Sequence, residues 1–451
     1  MSRDVPAPHI QNLKTKSDDS FSPLDQPITD ILNPAHATLR TPSALIVGGS
    51  MGGCCAAIAL ASIGCPVTIL ERTPGQLPSQ GAGLVIQPDM AAFLLEFKVC
   101  TSLSELSFKS SGRQYVDKQG QIIGGDDEPQ LFSAWDVLYR ALRAAVPDKA
   151  YLAGCTVQSI KHVTTSTSVT EGKISNTDTT SASEGEISAR NNRAASATSY
   201  QITLKNSEKK LTTDLLIGAD GPGSLVRSHF LPNERSRYQG YVAWRGVLQE
   251  NQASQNVLSF LGQKFTVYQG DNFHILCYLI PGANGEIDIG KRRVNWVWYC
   301  NCSEDSLSEI LTDINGKIHG FSVPKGFLKP EIAERLKQKS QNVLPAALSE
   351  MVRLTTDIFV QAIHDYLAPQ LVFHNNAVLL GDAGCILRPH TAAGTTKAAV
   401  NAWALADCLK LCGLHLKPAL KRYNESMLEL GRELVEVGVE IGTKSQFPGK
   451  V

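Results

Sequence analysis

One stretch, Ala44 to Arg72 (ALIVGGSMGGCCAAIALASIGCPVTILER), restricts this chain to a small set of folds. A short apolar run, Ala44 to Val47, reads as a buried strand. The glycine-dense turn Gly48-Gly49-Ser50-Met51-Gly52-Gly53 follows, then a small-residue helical segment from Cys54 to Ile63, stopped by Gly64. A second apolar strand, Val67 to Leu70, runs into Glu71. Strand, glycine turn, helix, strand and acid form the dinucleotide-binding βαβ pattern, with Ser50 where the usual fingerprint has its second glycine. Gly48 lets the chain leave the strand sharply, the small Ser50 lets backbone approach a pyrophosphate, and Gly53 permits close helix–strand packing. The helix N-terminus offers unpaired N–H groups and a positive dipole end to phosphates, and Glu71 can accept ribose hydroxyls. Two other readings stay open: an α/β core unit that binds nothing, and a membrane span, because Ser43 to Leu70 carries no charge. Glycines and a proline interrupt that stretch, which argues against the span.

At 451 residues the chain can hold two domains, or one interrupted by another. Its 43 basic and 43 acidic residues cancel, so the net field gives no reason to expect nucleic acid or an anionic membrane as partner. The 11 cysteines are odd in number and lack CxxC pairs, which fits buried thiols in a reducing compartment and no metal site. Residues 1–41 are polar and proline-punctuated (Pro6, Pro8, Pro23, Pro27, Pro34) and read as a flexible tail. No secretory core or peroxisomal tripeptide is present, so a cytoplasmic protein is the expectation.

Along the chain, Gly81 to Ile86 places glycines beside a short strand, and Pro88 to Phe97 reads as an amphipathic helix. Ser133 to Ala145 reads as another, with Ser133 as its N-cap. Thr156–Val163 and Tyr200–Leu204 alternate as strands around a Ser/Thr/Asn-rich stretch, 164–199, expected to be disordered. A strand then leads into Gly218-Ala219-Asp220-Gly221, followed by Ser224 and Arg227. Tyr241–Leu248, Lys264–Gln269, His274–Ile280 and Arg293–Cys300 are aromatic, alternating segments of an antiparallel sheet. Helices follow over about 331–356, and β/α pattern resumes at Ala377 to Ala383. A small-residue helix over 392–412 and a charged one from about Lys417 close the chain. The expected division is a nucleotide-binding domain over 42–235 and 371–451, interrupted by a substrate domain over 236–370.

Three stretches in this order, GGSMGG…Glu71-Arg72, GADGPGSLVR and LLGDAGCILRPHTAAGTTKA, together resemble the single-component FAD-dependent aromatic hydroxylases, the p-hydroxybenzoate hydroxylase-like flavoproteins. A narrower likeness, to 2,6-dihydroxypyridine 3-monooxygenase-type enzymes, rests on GAGLVIQP (81–88), YVAWRG (241–246), NWVWY (295–299) and RPHTAAG (388–394). The resemblance implies an α/β fold: a Rossmann-like FAD-binding domain of the GR2 type, interrupted by an antiparallel-sheet substrate domain with helices. It places Gly48, Ser50 and Gly53 at the pyrophosphate, and Glu71 with Arg72 at the adenosine ribose. Asp220 falls on the acid of the DG motif, and Gly381-Asp382 on the GD motif facing the ribityl chain. Pro389 and Gly394 lie beside the isoalloxazine, where a helix start stabilises the negative charge of reduced flavin. A helix N-cap is the plainer alternative for Asp382. Trp135, Thr396 and Asn401 depart from the family pattern, standing where an arginine, an asparagine and an acid are usual.

By the same resemblance, NAD(P)H reduces FAD, O2 adds at the flavin C4a carbon, and the hydroperoxide hydroxylates an electron-rich ring; the sequence shows no second glycine-rich βαβ unit, so NAD(P)H is expected to dock transiently. A small aromatic substrate, NAD(P)H and O2 are the expected partners, with a homodimer as one possible assembly. The ring reacts faster as an anion, so a base or a positive charge near its oxygen helps. His274 and Arg245 are the candidates to polarise that oxygen, His390 is a candidate in the flavin loop, and Tyr241, Trp244 and Trp298 are candidate walls. Each has a bland alternative: a hydrogen-bonded core histidine, an ordinary strand ion pair, and tryptophans that only pack. Trp296-Val297-Trp298 also resembles the start of the flavin-halogenase tryptophan motif, though Tyr299-Cys300-Asn301 lacks its continuation. A degenerate, non-catalytic flavin binder is the remaining alternative.

Overall fold

The computed structural model describes residues 41–75, 77, 82–165, 197–205 and 207–447. The expected tail, apart from Thr41, and residues 166–196 of the expected disordered insertion lie outside the described residues. Positions 164–165 and 197–199 extend the antiparallel pair Val157–Thr165 and Ala197–Leu204.

The all-apolar strand Ala44–Val47 lies in the middle of a six-stranded sheet ordered Val372–Phe373, Ala377–Leu379, Leu215–Gly218, Ala44–Val47, Val67–Glu71, Tyr151–Ala153. Only the Val372–Phe373 edge is antiparallel. The glycine turn, the GAD turn and the LLGD turn each follow one of three adjacent parallel strands, so they leave the same sheet end, where open α/β sheets bind their ligands. Buried on almost every side, the helix Met51–Ser62 packs through small residues against the helix Gly394–Leu411. A Cβ on Gly52 would lie 3.5 Å from the Ala398 methyl, which is why alanine and glycine fill this stretch rather than leucine. Burial pushes the Cys54 thiol in this helix up to about 12. No helix among the described residues is long and apolar enough to cross a membrane.

The second sheet is built on the long antiparallel strands Phe359–Leu367, Arg237–Gln249, Arg293–Asn301 and Phe273–Ile280, with Phe265–Gly270 beyond them. Its far edge is Arg113–Val116 and Ile122–Asp126, contributed from early in the chain; Arg113–Val116 pairs in parallel with Phe265–Gly270. Strand alternation gives the sheet two distinct faces. Trp244, Trp298 and Ile275 are cross-strand neighbours on one face, within a core shared with the helices Gln255–Leu261, Pro330–Val343 and Ala346–Leu354. Ala243, Tyr299 and His274 form a row on the other face, beside the row Arg245, Val297 and Leu276.

Ser133 does not cap the helix expected to start there. The helix is Trp135–Ala144, and Ser133 lies at the end of the strand Leu131–Ala134, where its hydroxyl donates to the Leu106 carbonyl at 2.5 Å. Pairing of this strand with Gly83–Val85 takes precedence over local capping preference. The last helix, Leu416–Gln446, runs 31 residues and reaches from the parallel sheet back to the antiparallel one.

Candidate functional site

The glycine turn is shaped by contacts that leave no room for side chains. Gly48 has φ +104°, and a Cβ there would sit 2.4 Å from the Ala219 carbonyl oxygen and 2.8 Å from the Asp220 Cα. A Cβ on Gly53 would fall 1.9 Å from the Gly48 carbonyl oxygen. One on Gly52 would lie 3.2 Å from Leu380. The first turn therefore rests directly on the other two. Ser50 precedes the helix without a side-chain cap bond, and the helix's first turn carries no acid of its own.

Buried Glu71 accepts backbone N–H groups with both oxygens, from Gly49 at 2.9 Å and from Thr73 at 2.8 Å. It thus braces the turn, and each oxygen keeps a further lone pair for a hydroxyl. The neighbouring Arg72 is exposed. Tyr151 supports the turn from below, its hydroxyl donating to the Gly49 carbonyl at 3.1 Å and lying 3.1 Å from the Tyr139 hydroxyl. Burial pushes both phenols upward, so they stay neutral.

Asp220 caps the short helix Leu225–Phe230, accepting from the Leu225 N–H at 2.7 Å and the Val226 N–H at 3.2 Å, and from the Ser224 hydroxyl. Burial raises its carboxyl against the lowering effect of those donors. The helix it caps carries Arg227, whose guanidinium donates to the carbonyls of Asp382 at 3.3 Å and Ala383 at 2.9 Å, and stacks over Tyr366. Asp382 sits in the tight turn Gly381–Ala383 and caps no helix; the next long helix begins at Gly394. Its Oδ1 meets Lys397 Nζ at 3.1 Å, and the Gly381 N–H donates to Asn401 at 3.1 Å. The second and third motifs are thus tied together by the Arg227 side chain.

The loop Arg388–Ala393 leads into the helix Gly394–Leu411. Ala392 takes a left-handed φ of +51°, Gly394 is exposed, and the helix's first turn carries no acid. The Thr396 hydroxyl is buried with no hydrogen-bond partner among the described residues. Arg388 anchors the loop through Asp365 at 2.9 Å and Gln239 at 2.6 Å, and Gln87 donates to the Thr391 carbonyl at 2.9 Å. This set fits FAD: two acid-free helix N-termini, a turn where any side chain would block backbone approach, an orphaned hydroxyl and a half-exposed carboxylate, all at one sheet end. Gly48, Ser50 and Gly53 could hold the pyrophosphate, Asp382 the ribityl hydroxyls, and the Pro389–Gly394 segment the ring edge.

The Tyr299 face of the second sheet lies against this loop. The Tyr241 hydroxyl is 2.9 Å from His390 Nε2. The rings of His274, Tyr299 and His390 form a cluster with centroids 4.6, 4.7 and 5.3 Å apart. His274 Nδ1 faces Ser445 Oγ at 2.6 Å and Gln446 Nε2 at 2.8 Å, from the end of the last helix. Burial pulls the His274 imidazole down to about 3 and holds His390 well below its usual range, helped there by nearby Arg388 and Arg245. Both rings are neutral at pH 7. The Tyr278 and Tyr299 phenols are pushed up by burial, against the pull of Arg245. Arg245 itself makes no hydrogen bond or ion pair among the described residues, and its Nε is buried. Asn295, fully buried in the next row, has no acceptor for its Nδ2 among the described residues, while its Oδ1 accepts from the Gly83 N–H at 2.7 Å.

His274, Arg245, His390 and Tyr241 thus come together on one face. Trp244 and Trp298, expected as walls, lie on the opposite face, because their positions have the other parity of strand alternation. Trp296 shares that face, its indole N–H bonded to Thr355 at 2.9 Å, so the tryptophan pair lies away from the site. Tyr278, Tyr299 and Asn295 went unsingled in the sequence, although the parity that joins Tyr241 to Arg245 marks them too. Lys397 carried no signal beyond its place in the third motif.

A family model described as FAD binding domain-like matches residues 238–365. The chain is 29% identical over 409 residues to 2,6-dihydroxypyridine 3-monooxygenase of Paenarthrobacter nicotinovorans, covering 90% of this chain and 91% of that one. It is 22% identical to 6-hydroxynicotinate 3-monooxygenase of Pseudomonas fluorescens over 83% and 84% of the two chains. Among solved structures, 2,6-dihydroxypyridine-3-hydroxylase from Arthrobacter nicotinovorans superposes with TM-score 0.77 at 28% identity, covering 91% and 94%. The three converging motifs, the fit to FAD and these likenesses agree on an FAD-dependent monooxygenase of an aromatic ring, similar over nine-tenths of its length to 2,6-dihydroxypyridine 3-monooxygenase.

Proposed function

We propose that this enzyme hydroxylates a small hydroxylated pyridine or phenol that binds as its anion, with NAD(P)H and O2 as co-substrates, and that Arg245 holds the ionised ring oxygen. The observation that carries the reading is Arg245: a guanidinium with a buried Nε and no partner among the described residues, on a wall whose other polar groups are neutral donors. A partly buried cation without an anion is costly unless a ligand supplies one. Bound FAD supplies the oxygen activation and transfer. The protein's own part is to orient and to exclude water. Arg245 lowers the energy of the ring anion over the neutral ring, which makes the ring a better nucleophile. Asn295 Nδ2 offers a second donor, and the neutral His274–Tyr299–His390 cluster supplies a flat aromatic wall. The Tyr241–His390 hydrogen bond is a path for a proton leaving the ring oxygen. Relatives named for dihydroxypyridine and hydroxynicotinate support a hydroxylated pyridine as the ring. All eleven cysteines are free thiols, which supports a reducing, cytoplasmic setting.

The test is a panel of hydroxypyridines and phenols offered to the FAD-loaded enzyme with NADH or NADPH. Stimulated NAD(P)H oxidation with one oxygen atom added to the ring, detected by mass, is the expected result. Halide-dependent product, or turnover confined to rings that cannot ionise, would overturn it.

A further inference from the structure

Lys397 is almost wholly buried, 1% exposed, in the first turn of the helix Gly394–Leu411. A cation there opposes the helix dipole, and buried ion pairs seldom stabilise a fold more than apolar packing of the same volume. The side chain thus breaks a local rule without a gain in folding, which is the mark of a functional constraint. Its two partners define that constraint. Nζ meets Asp382 Oδ1 at 3.1 Å and also donates to the Cys385 carbonyl, so it bridges both ends of the turn that carries the GD motif. The pair is strongly asymmetric. The ammonium is sealed, while the Asp382 side chain is 43% exposed and its Oδ2 makes no hydrogen bond among the described residues.

We infer that Lys397 is a positioning residue for flavin binding: its sealed ammonium fixes Oδ1 of Asp382, so that Oδ2 stays presented to a hydroxyl of the cofactor. Arg227 and Asn401 hold the backbone of the same turn, through the carbonyls of Asp382 and Ala383 and the N–H of Gly381. Lys397 alone among these three restrains the carboxylate. Its stem runs past a small void lined by Leu371, Leu379, Met427 and Leu430, so an unbranched apolar chain can replace it.

The test is FAD affinity and the melting temperature of the FAD-free protein, measured without substrate for Lys397→Met, Asp382→Asn and the double variant. Lys397→Met should weaken FAD binding about tenfold, the scale of one charge-assisted hydrogen bond, while FAD-free melting stays unchanged or rises. Asp382→Asn should weaken binding similarly and also lower FAD-free melting, because it strands the buried ammonium. The double variant should bind no more weakly than either single one and should regain the lost melting temperature. Wild-type affinity in Lys397→Met, additive losses in the double variant, or an affinity loss that only tracks a fall in FAD-free melting would each overturn the inference. Should Lys397→Met prove insoluble, Lys397→Gln, which keeps a donor but removes the charge, undergoes the same measurements under the same criteria.

Discussion

Replacing Arg245 by methionine should move stability and function in opposite directions. In the folded chain the guanidinium has no hydrogen bond or ion pair among the described residues and a buried Nε, so the protein alone gains nothing from its charge. Removing a stranded, partly buried cation while keeping the volume should stabilise the substrate-free enzyme by about 1–2 kcal/mol, below the several kcal/mol of a fully buried ion because Arg245 is partly exposed. For a chain of 451 residues that is roughly 1 °C of melting temperature per kcal/mol. The substrate complex loses a hydrogen bond to a charged group, about 1.5–3 kcal/mol, which corresponds to a fall of about 10- to 150-fold in kcat/KM for an ionised hydroxypyridine. Scanning fluorimetry of the FAD-loaded, substrate-free variant reads the first effect, and NAD(P)H oxidation against substrate concentration reads the second. A lower melting temperature would show that the guanidinium is satisfied by the protein. An unchanged kcat/KM would show that it does not meet the substrate, and either result refutes the reasoning.

Gly53→Ala should abolish FAD retention and destabilise the chain by about 3 kcal/mol, the upper end for overpacking, since its Cβ would lie 1.9 Å from a backbone oxygen; bound flavin after purification and the urea midpoint check this. Trp298→Phe should lower stability by about 1 kcal/mol and leave KM and kcat as they are, because the indole is sealed in the helix-covered core and faces away from the flavin loop; a changed KM at unchanged stability would return it to the pocket wall. His274 has a folded pKa of about 3, below its unfolded value near 6.5, so the unfolded chain binds the extra proton. Its contribution is therefore complete above about pH 6.5 and is lost at about 1.4 kcal/mol per pH unit as pH falls toward 3. Urea midpoints measured from pH 7 to pH 5 should drop less in His274→Gln than in the wild type, and parallel curves would place the titration elsewhere.

Legibility in the sequence followed the length scale of each constraint. The glycine turn, the DG and GD turns and the flavin loop are local, because backbone geometry dictates residue type at fixed spacings, and the structure brings all of them to one sheet end. Alternation also showed the antiparallel strands, yet their two faces were not separated, so Trp244 and Trp298 were grouped with Tyr241. Burial alone gives both faces large apolar side chains, and only the register tells which one meets the flavin loop. The pairing of Arg113–Val116 with Phe265–Gly270 is a contact between distant segments with no local signature. Ser133 misled for a related reason: a good capping residue was taken up by a strand pairing set elsewhere in the chain. Lys397 resembles an ordinary surface lysine on a helix, and its burial became visible only with the last helix packed beside it.

That last helix carries Gly438 and Gly442 where it crosses the flavin loop, and a Cβ on Gly442 would lie 3.0 Å from both the His390 ring and the Tyr241 hydroxyl. One turn further on, Ser445 and Gln446 grip His274. On the function proposed above, ring recognition draws on a segment far in sequence from the three nucleotide turns. Substitutions at 442–446 act on the ring wall from outside the glycine, DG and GD turns, and they are the natural positions for a library aimed at new substrates.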